Sequence, residues 1–248
     1  MKKLITPLLL LLTLAAFGQD KQQKERPLDP FQKIVVSPKI KLVLKKGETE
    51  SIRVTAANID ASQLNIVVRG NKLHIYLDDA RYIEKSKKVW EDGYSRRRSQ
   101  YHNASVTAYV TYRSLKGVEI RGEERLVCDE MLETRKFKLK AYGRTRVELA
   151  EVKTDKFKAV MYGENTLRIE AGVTGHQKYT LYGENTIETS GVTSKTAATT
   201  VYGEGTVAMQ VSDEVRLNAF GEPMIWVEGP AHLSKGLVFG RVGIRTRL

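Results

Sequence analysis

Seven glycines recur through the second half of the chain at intervals of 18 to 21 residues: Gly122, Gly143, Gly163, Gly183, Gly203, Gly221 and Gly240. From Gly143 onward each follows a Tyr or a Phe. The alignment extends beyond the glycine itself. Two residues before it stand Ile120, Ala141, Met161, Leu181, Val201, Ala219 and Val238; four after it stand Leu126, Val147, Leu167, Ile187, Val207, Ile225 and Ile244. Six after it stand Cys128, Leu149, Ile169, Thr189, Met209, Val227 and Thr246. These positions all lie an even number of residues from the glycine, which is the period of a strand. No stretch carries sustained helical spacing with caps. A repeat of about 20 residues built only of strand and turn cannot bury its apolar side alone and has to stack on its neighbours. The spacing therefore predicts an all-β chain in which residues 119–248 wind as a parallel, β-roll-like β-helix of about seven rungs. The glycines would sit at corners, where positive φ is cheap. Asn165 and Asn185, at equivalent corners, would hydrogen-bond up the stack.

The first half lacks this repeat. Ile40-Leu42-Leu44 alternates, Lys45-Lys46-Gly47-Glu48 interrupts, and Ile52-Val54-Ala56 alternates again. Leu64-Ile66-Val68 and Leu73-Ile75-Leu77 flank Gly70-Asn71 in the same way. Both read as strand, tight turn, strand. Residues 31–118 are thus expected to form antiparallel or mixed strands that run into the rungs, with a long insertion over 78–105 before the strand at Val106-Ala108-Val110.

Ahead of these lies an address. Met1-Lys2-Lys3 supplies charge, Leu4 to Leu14 an apolar run too short to span a bilayer, and Ala16-Phe17-Gly18 a small-x-small cleavage site. Residues 1–18 read as a cleavable signal peptide and 19–30, polar and Pro-punctuated, as a flexible leader. The mature protein is expected in the periplasm or at the cell surface and outside the cell, without a transmembrane segment. Its charge is basic, with 41 Lys+Arg against 29 Asp+Glu and a formal net charge of +12 over the full sequence. One Cys excludes an internal disulfide and a Cys-based zinc site, and four His, none three or four residues from another, argue against histidine metal chemistry. No cofactor or metal is expected. Cys128, at an inward position, reads as an inert core thiol.

Several patterns carry a resemblance: Phe31-x-x-Ile34-x-Val36, Ile40-x-Leu42-x-Leu44 before Gly47, Leu73-x-Ile75-x-Leu77, Val106-x-Ala108-x-Val110, Leu115-Lys116-x-Val118-x-Ile120-x-Gly122, and the Gly-x-Asn-Thr units at Gly163 to Thr166 and Gly183 to Thr186. In this order, over roughly Phe31 to Leu248, the chain resembles the DUF2807 family, the auto-transporter adhesins with a head GIN domain. The resemblance implies an all-β architecture with β-helix character, export, and adhesion, and it implies no catalytic residues. A membrane-barrel domain is missing after the seventh repeat, so self-translocation is not expected.

Odd positions should line the outside of the stack. Tyr142, Tyr162, Tyr182 and Tyr202, continued by Phe220 and Phe239, would form an aromatic ladder. It serves either as a platform for sugar rings or peptide side chains, or simply as like aromatics packing on one another. Glu164, Glu184, Glu204 and Glu222 would stack beside it. They need compensation, for which Lys138, Lys158, Lys178 and Arg216 offer a nearby basic stripe; a divalent cation bridging the carboxylates is the alternative. In the insertion, Trp90 and Tyr94 stand among Arg96, Arg97 and Arg98, a combination that could grip anionic polymers or be a solvated excursion. The sequence reading is of an exported, non-enzymatic, adhesin-like protein. It would bind an anionic polysaccharide or other surface glycan, or a surface protein, rather than nucleic acid. A self-associating structural envelope protein is the alternative, and a polysaccharide-degrading enzyme the third.

Overall fold

The computed structural model of this chain describes residues 21–22, 25–91 and 94–247. The expected signal peptide, 1–18, lies outside the described residues. What is described is all-β: strands joined in one large, curled, mixed sheet, plus a separate two-stranded sheet and a single 3-10 turn at Ala61–Gln63. The all-β expectation holds at this level.

The N-terminal strands are β1 (Lys21–Gln22), β2 (Arg26–Pro27), β3 (Lys33–Val36), β4 (Ile40–Lys46), β5 (Ser51–Ala57), β6 (Leu64–Arg69) and β7 (Lys72–Leu77). Their alternation sorts side chains as the sequence suggests: Ile34, Val36, Ile40, Leu42, Ile52, Val54, Leu73 and Ile75 are all buried. Strands β6 and β7 form the expected hairpin, with Leu64 opposite Leu77 and Arg69 opposite Lys72 around Gly70-Asn71.

The other expected hairpin does not form. Strand β10 (Ser105–Tyr112) lies between β4 and β5, parallel to the first and antiparallel to the second, so that Val110 faces Leu44 on one side and Ile52 on the other. The Gly47 N–H donates to the Tyr112 carbonyl at 3.0 Å, so the β4–β5 connection arches over the end of β10. Alternation fixes which face a residue takes but leaves the neighbour open, and here a strand from 60 residues downstream supplies it. The stretch read as a flexible leader also differs in part. Strands β1 and β2 pair antiparallel along β5, because that edge offers unpaired backbone groups to a short extended segment.

The repeats occupy β11 (Gly117–Gly122), β12 (Arg125–Gly143), β13 (Arg146–Gly221), β14 (Met224–Glu228), β15 (His232–Phe239) and β16 (Gly243–Arg247). Pairing is parallel throughout, and equivalent repeat positions face each other: Gly122 with Gly143, Tyr142 with Tyr162, Gly143 with Gly163, Phe137 with Phe157. A straight strand of β13's length would run to roughly 250 Å. Instead the chain returns every 20 residues or so to lie on itself, since Tyr162 and Tyr182 stack at 4.5 Å. The even positions of six repeats are buried. In the last, Val238 is 37% exposed and Thr246 is exposed, because this repeat is flanked on one side only among the described residues. The corner amides behave as expected. Asn165 Oδ1 accepts from the Thr145 amide at 3.0 Å and from its hydroxyl, and Asn165 Nδ2 donates to Asn185 Oδ1 at 3.0 Å, all of it buried. Strands β8 (Ser86–Glu91) and β9 (Tyr94–Ser99) make the separate sheet within the 78–105 insertion.

Candidate functional site

From Gly143 onward each repeat places one ring on the outer face just before its glycine, and parallel in-register pairing puts the rings in a column. Centroids from Tyr142 through Tyr162, Tyr182, Tyr202 and Phe220 to Phe239 lie 5.2, 4.5, 4.8, 4.7 and 5.4 Å apart, and the planes of the four tyrosines are parallel to within 4°. The four tyrosines expected as ligand-binding residues are therefore brought together. Their mutual arrangement sets what they can do. Each interior ring has both faces covered by its neighbours, so the column presents ring edges and phenol hydroxyls to solvent rather than flat platforms.

The ladder continues past Tyr142 with residues whose role the sequence reading missed. Arg121, in register with Tyr142 and standing before Gly122 where the other repeats carry a ring, sets its guanidinium 4.4 Å from the Tyr142 centroid. On its far side lies Tyr82, at 5.3 Å, followed by Arg81, which sits 5.6 Å from Tyr82 and 5.1 Å from Tyr76. The signal for Arg121 was its place in the repeat; nothing local could have placed Tyr82. Glu119 holds Arg121 from below, and Lys140 reaches the same carboxylate at 3.2 Å. Burial raises this carboxyl, but the hydrogen bonds from Arg121 and Lys140 outweigh it and hold Glu119 below the ordinary carboxylate range. A cleft of about 590 Å³ opens here between the ladder and the base of the insertion, lined by Tyr82, Ile83, Glu84, Arg121, Glu124 and Tyr142 among others. Burial raises the Glu124 carboxyl, which accepts the Lys39 amide at 2.8 Å.

Trp90, Tyr94, Arg96, Arg97 and Arg98 stand apart from the ladder on the β8–β9 sheet. Trp90 faces Ser95 and Val89 faces Arg96, so strand alternation puts Trp90 on one face with Arg97, and Tyr94 on the other with Arg96 and Arg98. Trp90 and Tyr94 are each 73% exposed. The aromatic and basic residues of the insertion thus divide between two faces instead of forming one cluster. Tyr101, also in the insertion, is buried and donates its hydroxyl to the Asp78 carbonyl at 2.8 Å, which makes it an anchor.

The charges also rearrange. Glu164 is met by Arg144 at 2.8 Å, from within the repeat corner, and not by the lysine stripe expected to compensate it. Arg216 pairs with Glu214 at 3.4 Å. Lys138, Lys158 and Lys178 sit four residues before the rings, too far along the strand to reach the glutamates. Cys128 is buried, its thiol raised by burial and directed at the Glu130 carbonyl at 3.3 Å. Among the described residues no three His, Cys, Asp or Glu side chains gather to hold a metal, and no helix is long and apolar enough to cross a membrane. What the outer face offers is hydrogen-bond donors and cations repeated at one strand spacing.

The profile of a family described as "Putative auto-transporter adhesin, head GIN domain", DUF2807, matches residues 30–231. No curated protein matches the sequence. Among solved structures, a putative adhesin from Parabacteroides merdae is 18% identical, with a TM-score of 0.66 over 92% of this chain and 97% of that one. A putative adhesin from Bacteroides fragilis is 13% identical, with a TM-score of 0.66 over 92% and 98%. A protein from Parabacteroides distasonis described as a putative lipid binding protein is 14% identical, with a TM-score of 0.64 over 92% and 97%. At these identities the likeness is one of fold.

Proposed function

The chain belongs to the DUF2807 family, and we propose from that premise that it is an exported, non-enzymatic, adhesin-like protein that binds a cell-surface polymer or surface protein through its ladder face. In this reading residues 1–18 are a signal peptide and 119–248 wind as a β-helix of about seven rungs. The rung reading is supported by the parallel pairing of residues about 20 apart and by the stacked rings. The observation that carries the binding role is the continuous column of six ring edges, four of them bearing phenol hydroxyls in successive repeats, ending at the cleft beneath the hairpin that bears Trp90, Tyr94, Arg96, Arg97 and Arg98. A repeat of donors at fixed spacing matches a partner that itself repeats, which favours a glycan over a globular surface.

Arrayed glycans, cell-wall polymers and surface proteins test this. Replacing both Tyr162 and Tyr182 by Phe keeps the stack and removes two hydroxyls, each worth about 1 kcal/mol when bonded, so saturable binding should weaken roughly thirtyfold. Binding indifferent to that double variant, or none at all, rejects the ladder; new reducing ends in the polymer reject the non-enzymatic reading. A second reading, self-association, draws on the last described repeat. There Leu237 and Phe239 are each 61% exposed on β15, a strand paired on one side only among the described residues. Concentration-dependent assembly without affinity for any arrayed polymer would favour it.

A further inference from the structure

Four residues before the ladder runs a second column on the same outer face. Lys72 pairs in register with Lys33, Lys33 with Gly117, Gly117 with Lys138, and Lys138 with Lys158; Lys178 repeats the position one turn of sequence later. None of these five lysines has an ion-pair partner among the described residues, and Lys136 and Lys156 stand beside them two residues back along the strands. The carboxylate in the neighbouring row, Glu119, is already held by Arg121 and Lys140. Like charges side by side across strands are destabilising, and the Lys138 ammonium shows it: burial lowers its pKa, and Lys140, Lys158 and Lys33 lower it further.

The row has one gap. At Gly117 a Cβ would lie 2.6 Å from the Lys138 carbonyl oxygen, so no side chain fits. The space left is a cavity of about 170 Å³ lined by Lys33, Lys72, Lys116, Lys138 and Lys140, together with the Glu119 carboxylate that Arg121 and Lys140 neutralise.

We propose that this lysine face is a docking surface for a linear anionic polysaccharide laid across the strands, with one acidic group seated over Gly117 among the surrounding lysines. The strands of the row lie about 4.8 Å apart, so its cations recur at one strand spacing except across Gly117, where Lys33 and Lys138 are two spacings apart. A pyranose polymer advances by about one strand spacing per sugar, so a polymer with one carboxylate per sugar meets successive strands in step. Duplex nucleic acid carries a charge every 1.7 Å or so of axis, and single strands bind by stacking bases on open aromatic faces, which the ladder has used up on itself. No large apolar side chain is exposed among the lysines to enter a bilayer. The surface is distinct from the tyrosine hydroxyls and the hairpin, so the inference goes beyond the proposed function, although the partner class is shared.

The full chain is titrated with alginate, with neutral dextran as the uncharged control, at low and moderate salt. The triple variant Lys33→Gln, Lys138→Gln, Lys158→Gln is compared with Lys41→Gln, Lys45→Gln, Lys195→Gln, which removes the same charge elsewhere; circular dichroism verifies that both are folded. Alginate should bind, weaken steeply with salt, and lose at least about tenfold in affinity in the first triple but not the second. Equal losses in the two triples, absence of alginate binding at low salt, or tighter binding to phosphatidylglycerol vesicles or to a single-stranded oligonucleotide than to alginate would each overturn it. Because the readout is the difference between lysine triples, failure of the tyrosine variants leaves it untouched.

Discussion

Thr199 and Asn165 occupy equivalent depths in the stack and should respond to truncation with opposite signs. The Thr199 hydroxyl is buried without a hydrogen-bond partner among the described residues. Valine has the same shape without the oxygen, so Thr199→Val should raise stability by about 1 kcal/mol. Asn165 makes three bonds to Thr145 and Asn185, and Asn165→Ala would strand the buried Thr145 amide, a loss of about 2–3 kcal/mol. Urea denaturation of both variants checks the pair; a Thr199→Val protein no more stable than the parent would mean the hydroxyl is satisfied. At this scale much was legible in the sequence. The recurrence of Asn two residues after the repeat glycine announces a ladder, because stacking puts identical positions in contact. Ring orientation was not legible. Spacing says that Tyr162 and Tyr182 are neighbours but not that their planes lie 1° apart with faces covered, and it is that angle which turns a supposed sugar platform into a column of edges.

The β8–β9 hairpin shows the same division among elements. Two strands alone are marginal in water, and this pair is fastened at its root. Glu84 accepts from the Tyr101 amide at 2.8 Å and from the Ser99 hydroxyl, and it sits 3.7 Å from Lys39. Glu84→Ala should therefore release the hairpin alone. Amide exchange across Ser86–Ser99 is expected to rise by roughly tenfold or more while exchange in β12 and the unfolding midpoint stay close to the parent's. Parallel loss of protection in β12 would show that the insertion is integral to the large sheet. Turn chemistry identified β6–β7, whose partner is next in sequence, and failed for β4–β5, whose shared partner β10 comes from beyond the insertion. Strand identity is written locally in alternation; strand order is settled by which apolar faces and backbone edges close the sheet, and no window of sequence holds that information.

The lysine face exists only for the whole molecule, since Lys33 and Lys72 come from the first third of the chain and Lys138 and Lys158 from the repeats. That is why the sequence made Lys138 and Lys158 partners of the glutamates, when the sheet order gives them other lysines as neighbours. Two histidines report on the same field. Burial lowers the His176 pKa first, and Lys156 and Lys178 lower it further; burial likewise lowers His74, followed by Arg81, Lys72 and Arg69, against a smaller opposing effect of Glu119. A histidine whose folded pKa lies below its unfolded value of about 6.5 takes up its proton later in the folded state. As pH falls through that value the unfolded chain binds more protons, so stability should decline on acidification in this window, before the carboxylates titrate. Salt screens the share due to neighbouring cations but not the share due to burial. Added salt should thus flatten the decline without abolishing it, and His74→Gln combined with His176→Gln should remove it at either ionic strength. Denaturant midpoints taken across the window settle the point. A decline that persists in the double variant would assign it to other groups, and a decline in the parent that is indifferent to salt would mean that these rings do not feel the lysines, so that the face would have to be far better compensated than its geometry allows.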